Sequence, residues 1–290
     1  MIDIKKESRG YIAHGVSACA GCGMELILRT VLNALGQDTT LVIPPGCSAL
    51  FCGFGKETGL KVSTFQGNLE NSAAYAAGIR AGYEVQGNNH STVVAFAGDG
   101  GTLDIGLQSL SGMMERGDDV LYICYDNEAY MNTGIQGSSA TPLGAWTTTT
   151  PTGKPVYKKD LLGIAMAHGI PYCASASVAN IKDMTKKVEK AKSIQGPKLL
   201  HIHCPCPTGW GSAPSKSIEV SKKAVQTGAW VLYECEDGNI KLNNPPKELK
   251  AVQEYTKLQK RFSGINEEQL VALQMGITKN FERLMRMQAE

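Results

Sequence analysis

Two uninterrupted apolar runs, Thr92–Val93–Val94–Ala95–Phe96–Ala97 and Val120–Leu121–Tyr122–Ile123–Cys124–Tyr125, constrain this chain more than any other feature. A half-exposed strand would alternate apolar and polar residues, so runs this continuous read as strands covered on both faces. Further β-rich runs at 40–43, 61–65 and 198–203 are interleaved with helical patterns at 24–35, 71–85, 103–115, 160–168 and 181–193. Such alternation predicts an α/β fold: an open, mostly parallel sheet with helices on both faces. Ligands of such sheets bind beyond the carboxyl ends of the strands. The residues just after Ala97 and just after Tyr125 therefore flank one expected site.

Charge divides the chain. Residues 211–290 carry 22 charged side chains, against 34 in the 210 residues before them. The expected organisation is an α/β domain over 1–210 with a helical arm over 211–290. Helices are predicted at 215–227, 248–262 and 267–287, with a breaker at Asn243–Asn244–Pro245–Pro246. The net charge is +2 with no basic stripe, which argues against a nucleic-acid partner. No apolar stretch reaches membrane-spanning length, and residues 1–15 lack the apolar core of a secretory signal. A cytoplasmic protein is expected. Lys186, Lys187 and Lys190 read as a solvated helix face, and His14, just before a cysteine pair, is flagged.

Gly98–Asp99–Gly100–Gly101 follows the first apolar run directly. Glycines there allow backbone N–H groups to approach an anion such as a diphosphate. A carboxylate at the same turn repels that anion unless a cation lies between them. Mg²⁺ held by Asp99 and by diphosphate oxygens resolves the conflict. The second run ends in Asp126–Asn127–Glu128–Ala129–Tyr130, where the Asn127 amide oxygen and the Ala129 carbonyl are suitable hard ligands for the same ion. The alternative is an ordinary glycine-rich turn with Asp99 as a helix cap.

Nine cysteines in a reducing compartment point to metal binding rather than disulfides. Cys19–Ala20–Gly21–Cys22 opens a helix and fits a redox pair, a zinc half-site or a cluster half-site. Cys47 and Cys52 follow one strand and Cys204 and Cys206 another, so both groups can share the sheet edge of the Gly-Asp-Gly turn. Cys124, Cys173 and Cys235 read as small buried hydrophobes. Trp210, Tyr75, His201 and His203 read as ordinary packing.

Gly98–Asp99–Gly100 with Asn127 resembles the thiamine-diphosphate motif. The stretch Asp126–Asn127–Glu128–Ala129–Tyr130–Met131–Asn132–Thr133–Gly134–Ile135–Gln136, with Ala140–Thr141–Pro142–Leu143–Gly144–Ala145, resembles the β subunit of 2-oxoacid:ferredoxin oxidoreductases. So do Cys19–Ala20–Gly21–Cys22–Gly23, Gly46–Cys47–Ser48 and Pro205–Cys206–Pro207–Thr208–Gly209–Trp210. The resemblance implies a thiamine-diphosphate-binding fold with Mg²⁺ on Asp99, Asn127 and the Ala129 carbonyl. Gly98, Gly100 and Gly101 would line the diphosphate, Gly46, Cys47 and Ser48 would contact the cofactor, and Asn132 and Thr133 would lie beside the thiazolium. A [4Fe–4S] cluster would be held by Cys19, Cys22, Cys47 and Cys206, with Cys204 the alternative fourth ligand.

The implied reaction is oxidative decarboxylation of a 2-oxoacid, pyruvate in the first instance, to acyl-CoA and CO₂ with electrons passed to ferredoxin. The resemblance also implies an α subunit supplying the activating Glu and much of the coenzyme A site, and γ/δ-type subunits with further clusters. Other 2-oxoacids or oxalate, a non-redox thiamine-dependent decarboxylase and a zinc-stabilised assembly subunit stand as alternatives.

Overall fold

The computed structural model describes residues 10–13, 15–53 and 58–289. His14 lies outside them. The elements in chain order are α1 (Gly23–Leu35), β1 (Thr39–Ile43), a 3₁₀ turn (Cys47–Phe51), β2 (Ser63–Gln66), α2 (Ser72–Val85), β3 (Thr92–Gly98), a π-helical turn (Gly101–Ile105), α3 (Leu107–Arg116) and β4 (Leu121–Asp126). They continue with α4 (Leu161–Ala167), β5 (Tyr172–Ser177), α5 (Ile181–Ser193), β6 (Lys198–His203), α6 (Pro207–Trp210) and α7 (Ser217–Gln226). Last come β7 (Tyr233–Glu236), β8 (Asn239–Leu242), α8 (Gln253–Thr256), a 3₁₀ turn (Lys260–Phe262) and α9 (Glu267–Ala289).

The eight strands form one sheet in the order β2-β1-β3-β4-β6-β5-β7-β8. The first six are parallel, and β7 and β8 add antiparallel at one edge. Every residue of β1, β4, β5 and β6 is buried, as the continuous apolar runs require. α1 and α5 cover one face through Ile27, Leu28, Met184 and Val188. α2, α3, α4 and the end of α9 cover the other, through Ala76, Met113, Leu162 and Leu284. The register sets Gly98 beside Tyr125, and Asp126 beside His203. The residues after β1, β3, β4 and β6 thus emerge at a single edge. From β1 the chain crosses to β2 on one side, and from β3 to β4 on the other. Their exit loops diverge, leaving the crevice where ligands of open α/β sheets bind.

Four differences from the sequence reading have physical causes. β5 reads Tyr–Cys–Ala–Ser–Ala–Ser, with no branched residue to announce a strand, and is held by its place between β6 and β7. β7 and β8 lie within the stretch expected to be helical. Asp237 (φ 48°) and Gly238 (φ 83°) close them into a two-residue hairpin, so the Asp-Gly signal was present. Residues 248–262 form two short turns rather than one helix, and a third apolar cluster gathers Trp210, Val220, Trp230, Tyr255, Phe262 and Leu273 there. Lys187 is buried rather than solvated, bonded to Asp183 and the Ser175 carbonyl at 2.8 Å each. Among the described residues no helix is long and apolar enough to cross a membrane.

Candidate functional site at the strand ends

Asp99 is fully buried just after β3. One carboxylate oxygen accepts the Asn127 backbone N–H at 3.2 Å, and the other accepts the Ser138 hydroxyl at 2.5 Å. Burial, reinforced by neighbouring Asp126, pushes its carboxyl well above the usual range. A carboxylate in that position gains from a cation beside it. The Asn127 amide supplies the decisive geometry. One of its two terminal atoms lies 2.8 Å from the Ala129 carbonyl and 3.0 Å from Asp99 Oδ1. With nitrogen inward, the amide donates to both. With oxygen inward, three oxygens converge at the separation of adjacent ligands around an octahedral ion with bonds of about 2.1 Å. The three groups therefore fit a Mg²⁺ ion in donor type and spacing.

The surrounding turn is held from several sides. Gly98 ends β3, and the helix after it carries a π-turn at Gly101–Ile105, a distortion common at functional sites. A Cβ on Gly100 would collide with the Tyr130 ring, whose hydroxyl donates to the Gly100 carbonyl at 3.0 Å. Gly101 packs against Leu69. Across the crevice, Ser48 is buried, and its hydroxyl accepts from Tyr125 Oη at 3.0 Å. That bond pins Gly46–Cys47–Ser48 over the end of β4. Asn132 and Thr133 occupy an exposed turn closed by the Tyr130–Gln136 bridge, and the Thr133 hydroxyl donates to Gln136 at 2.6 Å.

Behind this turn lies a buried ionic network that the sequence reading missed. Asp126 accepts from His201 Nε2 at 2.8 Å and Lys158 Nζ at 3.2 Å, and Glu128 binds Lys158 at 2.7 Å and also Arg261. Burial alone would raise both carboxyls, but Lys158, helped by the His201 hydrogen bond at Asp126 and by Arg261 at Glu128, outweighs it and holds both below their ordinary values. Burial pushes His203 down to about 4, so it is neutral. A cavity of about 730 Å³ between α9 and the sheet reaches Glu128, Lys158 and His201. Trp210, expected to be plain packing, donates its indole N–H to the Asn127 carbonyl at 2.8 Å.

The cysteine loops meet at the same edge. Cys19 and Cys22 close a turn (Cys22 N–H to Cys19 carbonyl, 3.0 Å), and Gly23 N–H donates to the Pro205 carbonyl at 3.1 Å. Cys22 stands at the start of α1 with its thiol raised by burial, and Cys206 Sγ accepts Gly209 N–H at 3.3 Å. Burial pushes the Cys47 thiol up to about 12, reinforced by Cys206, Cys22 and Cys19. Cys206 rises to about 11 through burial, Cys22 and Cys19, with Arg261 opposing. Cys19, Cys22, Cys47, Cys204 and Cys206 thus lie within electrostatic reach of one another, whereas the Cys52 shift comes from burial alone. Among the described residues no three His, Cys, Asp or Glu side chains are close enough to share one ion. The sulfurs of an iron–sulfur cluster favour N–H donors such as the Gly209 N–H on Cys206. Cys204 is almost wholly buried in the apolar core, whereas Cys206 caps α6 and is partly exposed. Cys124, Cys173 and Cys235 are buried free thiols.

Residues 45–202 match the model of the thiamine pyrophosphate enzyme C-terminal TPP-binding domain. The chain is 48% identical to pyruvate synthase subunit PorB of Methanothermobacter marburgensis, over 91% of this chain and 93% of that protein. It is also 48% identical to ketoisovalerate oxidoreductase subunit VorB of Pyrococcus abyssi, over 93% and 91%. The fold is similar to a solved 2-oxoglutarate:ferredoxin oxidoreductase from Magnetococcus marinus (TM-score 0.61, 20% identity, covering 74% of this chain and 81% of that one).

Proposed function

The chain belongs to the β-subunit family of the thiamine-diphosphate-dependent 2-oxoacid:ferredoxin oxidoreductases, and from that premise we propose how its residues divide the work. Asp99 Oδ1, the Asn127 amide oxygen and the Ala129 carbonyl hold Mg²⁺. The N–H groups around Gly100 and Gly101 receive the diphosphate, with Gly98 keeping the turn tight. Gly46, Cys47 and Ser48 wall the crevice opposite, and Asn132 and Thr133 present polar groups to the substrate. Cys19, Cys22, Cys47 and Cys206 hold a [4Fe–4S] cluster. When bound, thiamine diphosphate supplies an electron sink for decarboxylation, and the cluster supplies a one-electron exit. The chain's own part is to fix both groups on one rigid sheet edge, keep water out and neutralise charge at the diphosphate.

The observation that carries this reading is one Asn127 amide atom lying within 3.0 Å of both Asp99 Oδ1 and the Ala129 carbonyl. The expected division at residue 210 becomes one of function. Residues 1–210 carry the cofactor groups, and 211–290 brace them through Arg261 and the third apolar cluster. Family membership removes the non-redox decarboxylase and the assembly subunit as roles for the chain. Pyruvate is the proposed substrate, in keeping with the relatives named pyruvate synthase. A branched-chain 2-oxoacid is the second reading, because relatives named ketoisovalerate oxidoreductase are equally similar.

The proposed partners are an α subunit supplying the activating Glu and much of the coenzyme A site, and γ/δ-type subunits carrying further clusters, with ferredoxin as acceptor in the cytoplasm. Anaerobic purification with and without partners, followed by iron, sulfide, magnesium and thiamine analysis and a 2-oxoacid panel, tests the whole reading. CoA-dependent oxidation is expected only from the complex. Full activity of the isolated chain, or zinc in place of iron, would contradict it.

A further inference from the structure

Trp210 is fully buried, and its contacts reach both halves of the site. It ends the single helical turn that Cys206 begins, and its backbone N–H returns to the Cys206 carbonyl at 2.8 Å. Its indole N–H reaches the Asn127 carbonyl at 2.8 Å. The segment that carries a proposed cluster ligand is therefore bonded, through one side chain, to the backbone of a proposed magnesium ligand. Arg261 strengthens the same link. Its guanidinium lies 4.0 Å over the Trp210 ring while a terminal nitrogen binds the carboxylate of buried Glu128. Gln259 Oε1 accepts from Arg261 Nε at 2.9 Å, and Tyr255 Oη lies 3.3 Å from its Nη2, so the guanidinium has little freedom.

Glu128 itself is held at φ 68°, the left-handed region that a residue with a side chain adopts only when its surroundings enforce it. That backbone twist lies between Asn127 and Ala129, the two positions that must turn their oxygens the same way. The Asn127 carbonyl is gripped by Trp210, the Glu128 side chain by Arg261, and the Glu128 carbonyl by the Thr141 hydroxyl at 2.7 Å. Packing alone would need neither an indole N–H aimed at this carbonyl nor a stacked guanidinium tied to the next residue.

Resting on the reading above, we propose that Trp210 and Arg261 are a positioning pair that couples the two cofactor sites, so that a cluster on the cysteine loops tightens thiamine diphosphate and magnesium at Asp99 and Asn127, and the reverse. Thermodynamic linkage requires the effect to be equal in both directions.

The test is a cycle on the assembled, anaerobically purified complex. Thiamine diphosphate affinity, at saturating magnesium, is measured by calorimetry with the cluster present and after its removal. Wild type is expected to bind about tenfold more tightly with the cluster present, within the usual range of site-to-site coupling. Trp210→Phe keeps an aromatic ring under Arg261 and deletes only the N–H, and should bring the ratio to within about twofold of unity. Arg261→Lys keeps the charge but loses the planar stack and the fork, and should lower the ratio as well, which covers the case of a poorly folding Trp210 variant. In the reverse direction, adding thiamine diphosphate should shift the reduction potential and electron paramagnetic resonance of the cluster in wild type and leave them unmoved in Trp210→Phe. A wild-type ratio near one, or the same ratio in wild type and both variants, overturns the coupling alone. A complex that carries no iron or no thiamine overturns the functional reading and the coupling with it.

Discussion

The Gly98–Gly101 turn and the cysteine loops share one sheet edge, yet they are built in opposite ways. At the turn, two adjacent parallel strands fix Asp99 and Asn127 by register, and both Asp99 oxygens and the Asn127 carbonyl have partners from neighbouring segments. Around the cysteines, three segments distant in sequence supply thiols raised by burial and by one another. A hard-ion site can be preformed because backbone and amide oxygens are already hydrogen-bonding groups. A thiolate site cannot, because its ligands exist in the needed form only once the metal has displaced their protons.

The largest expected effect separates the two regions. Asp99→Asn should weaken thiamine diphosphate and magnesium binding by more than about 100-fold, since even indirect support of a metal ligand is worth 10–100-fold. Iron content should remain. The converse variants, Cys22→Ser or Cys47→Ser, should lose the cluster's visible absorption and iron while thiamine still binds, weakened only by the roughly tenfold coupling. Cys52→Ser and Cys204→Ser should keep both. Iron lost from Cys204→Ser but not from Cys206→Ser would exchange the fourth ligand.

Steric tests act on each region in turn. In Gly21→Ala the new methyl meets the Pro214 carbonyl at a φ of 72°, so the first cysteine loop must move and iron occupancy should fall. In Gly100→Ala it meets the Tyr130 ring, with an expected loss of about 1–3 kcal/mol by thermal or denaturant unfolding, as for other overpacked sites. The smallest effect concerns His203, whose pKa is lowered from 6.5 to about 4 by burial. Between those values the unfolded chain takes up a proton that the folded chain does not, so its share of stability is present above pH 6.5 and is lost as pH falls towards 4. Urea titrations across this window should show that slope, and His203→Phe should flatten it.

The sheet was legible where strands are buried on both faces, because residues 92–97 and 120–125 leave no other reading. It was not legible at β5, where Ser and Ala carry no β preference, nor at β7 and β8, where high charge density masked the Asp-Gly hairpin. The ligand types at Asp99, Asn127 and Ala129 could be argued from strand ends and hard-ion chemistry. Ser138, Tyr130, Arg261 and Trp210 could not, because each reaches the turn from a segment whose position depends on tertiary packing. His201 gave no sign of its bond to Asp126, since one strand residue rarely reveals its neighbour on the next strand.

A crystal structure of the anaerobically purified complex, with anomalous scattering recorded at the iron edge, is the most direct trial of these assignments. The expected result is an iron–sulfur cube bonded to Cys19, Cys22, Cys47 and Cys206, and a magnesium ion about 2.1 Å from Asp99 Oδ1, the Asn127 amide oxygen and the Ala129 carbonyl. Iron elsewhere, or the Asn127 nitrogen turned inward with the cofactor bound, would contradict them.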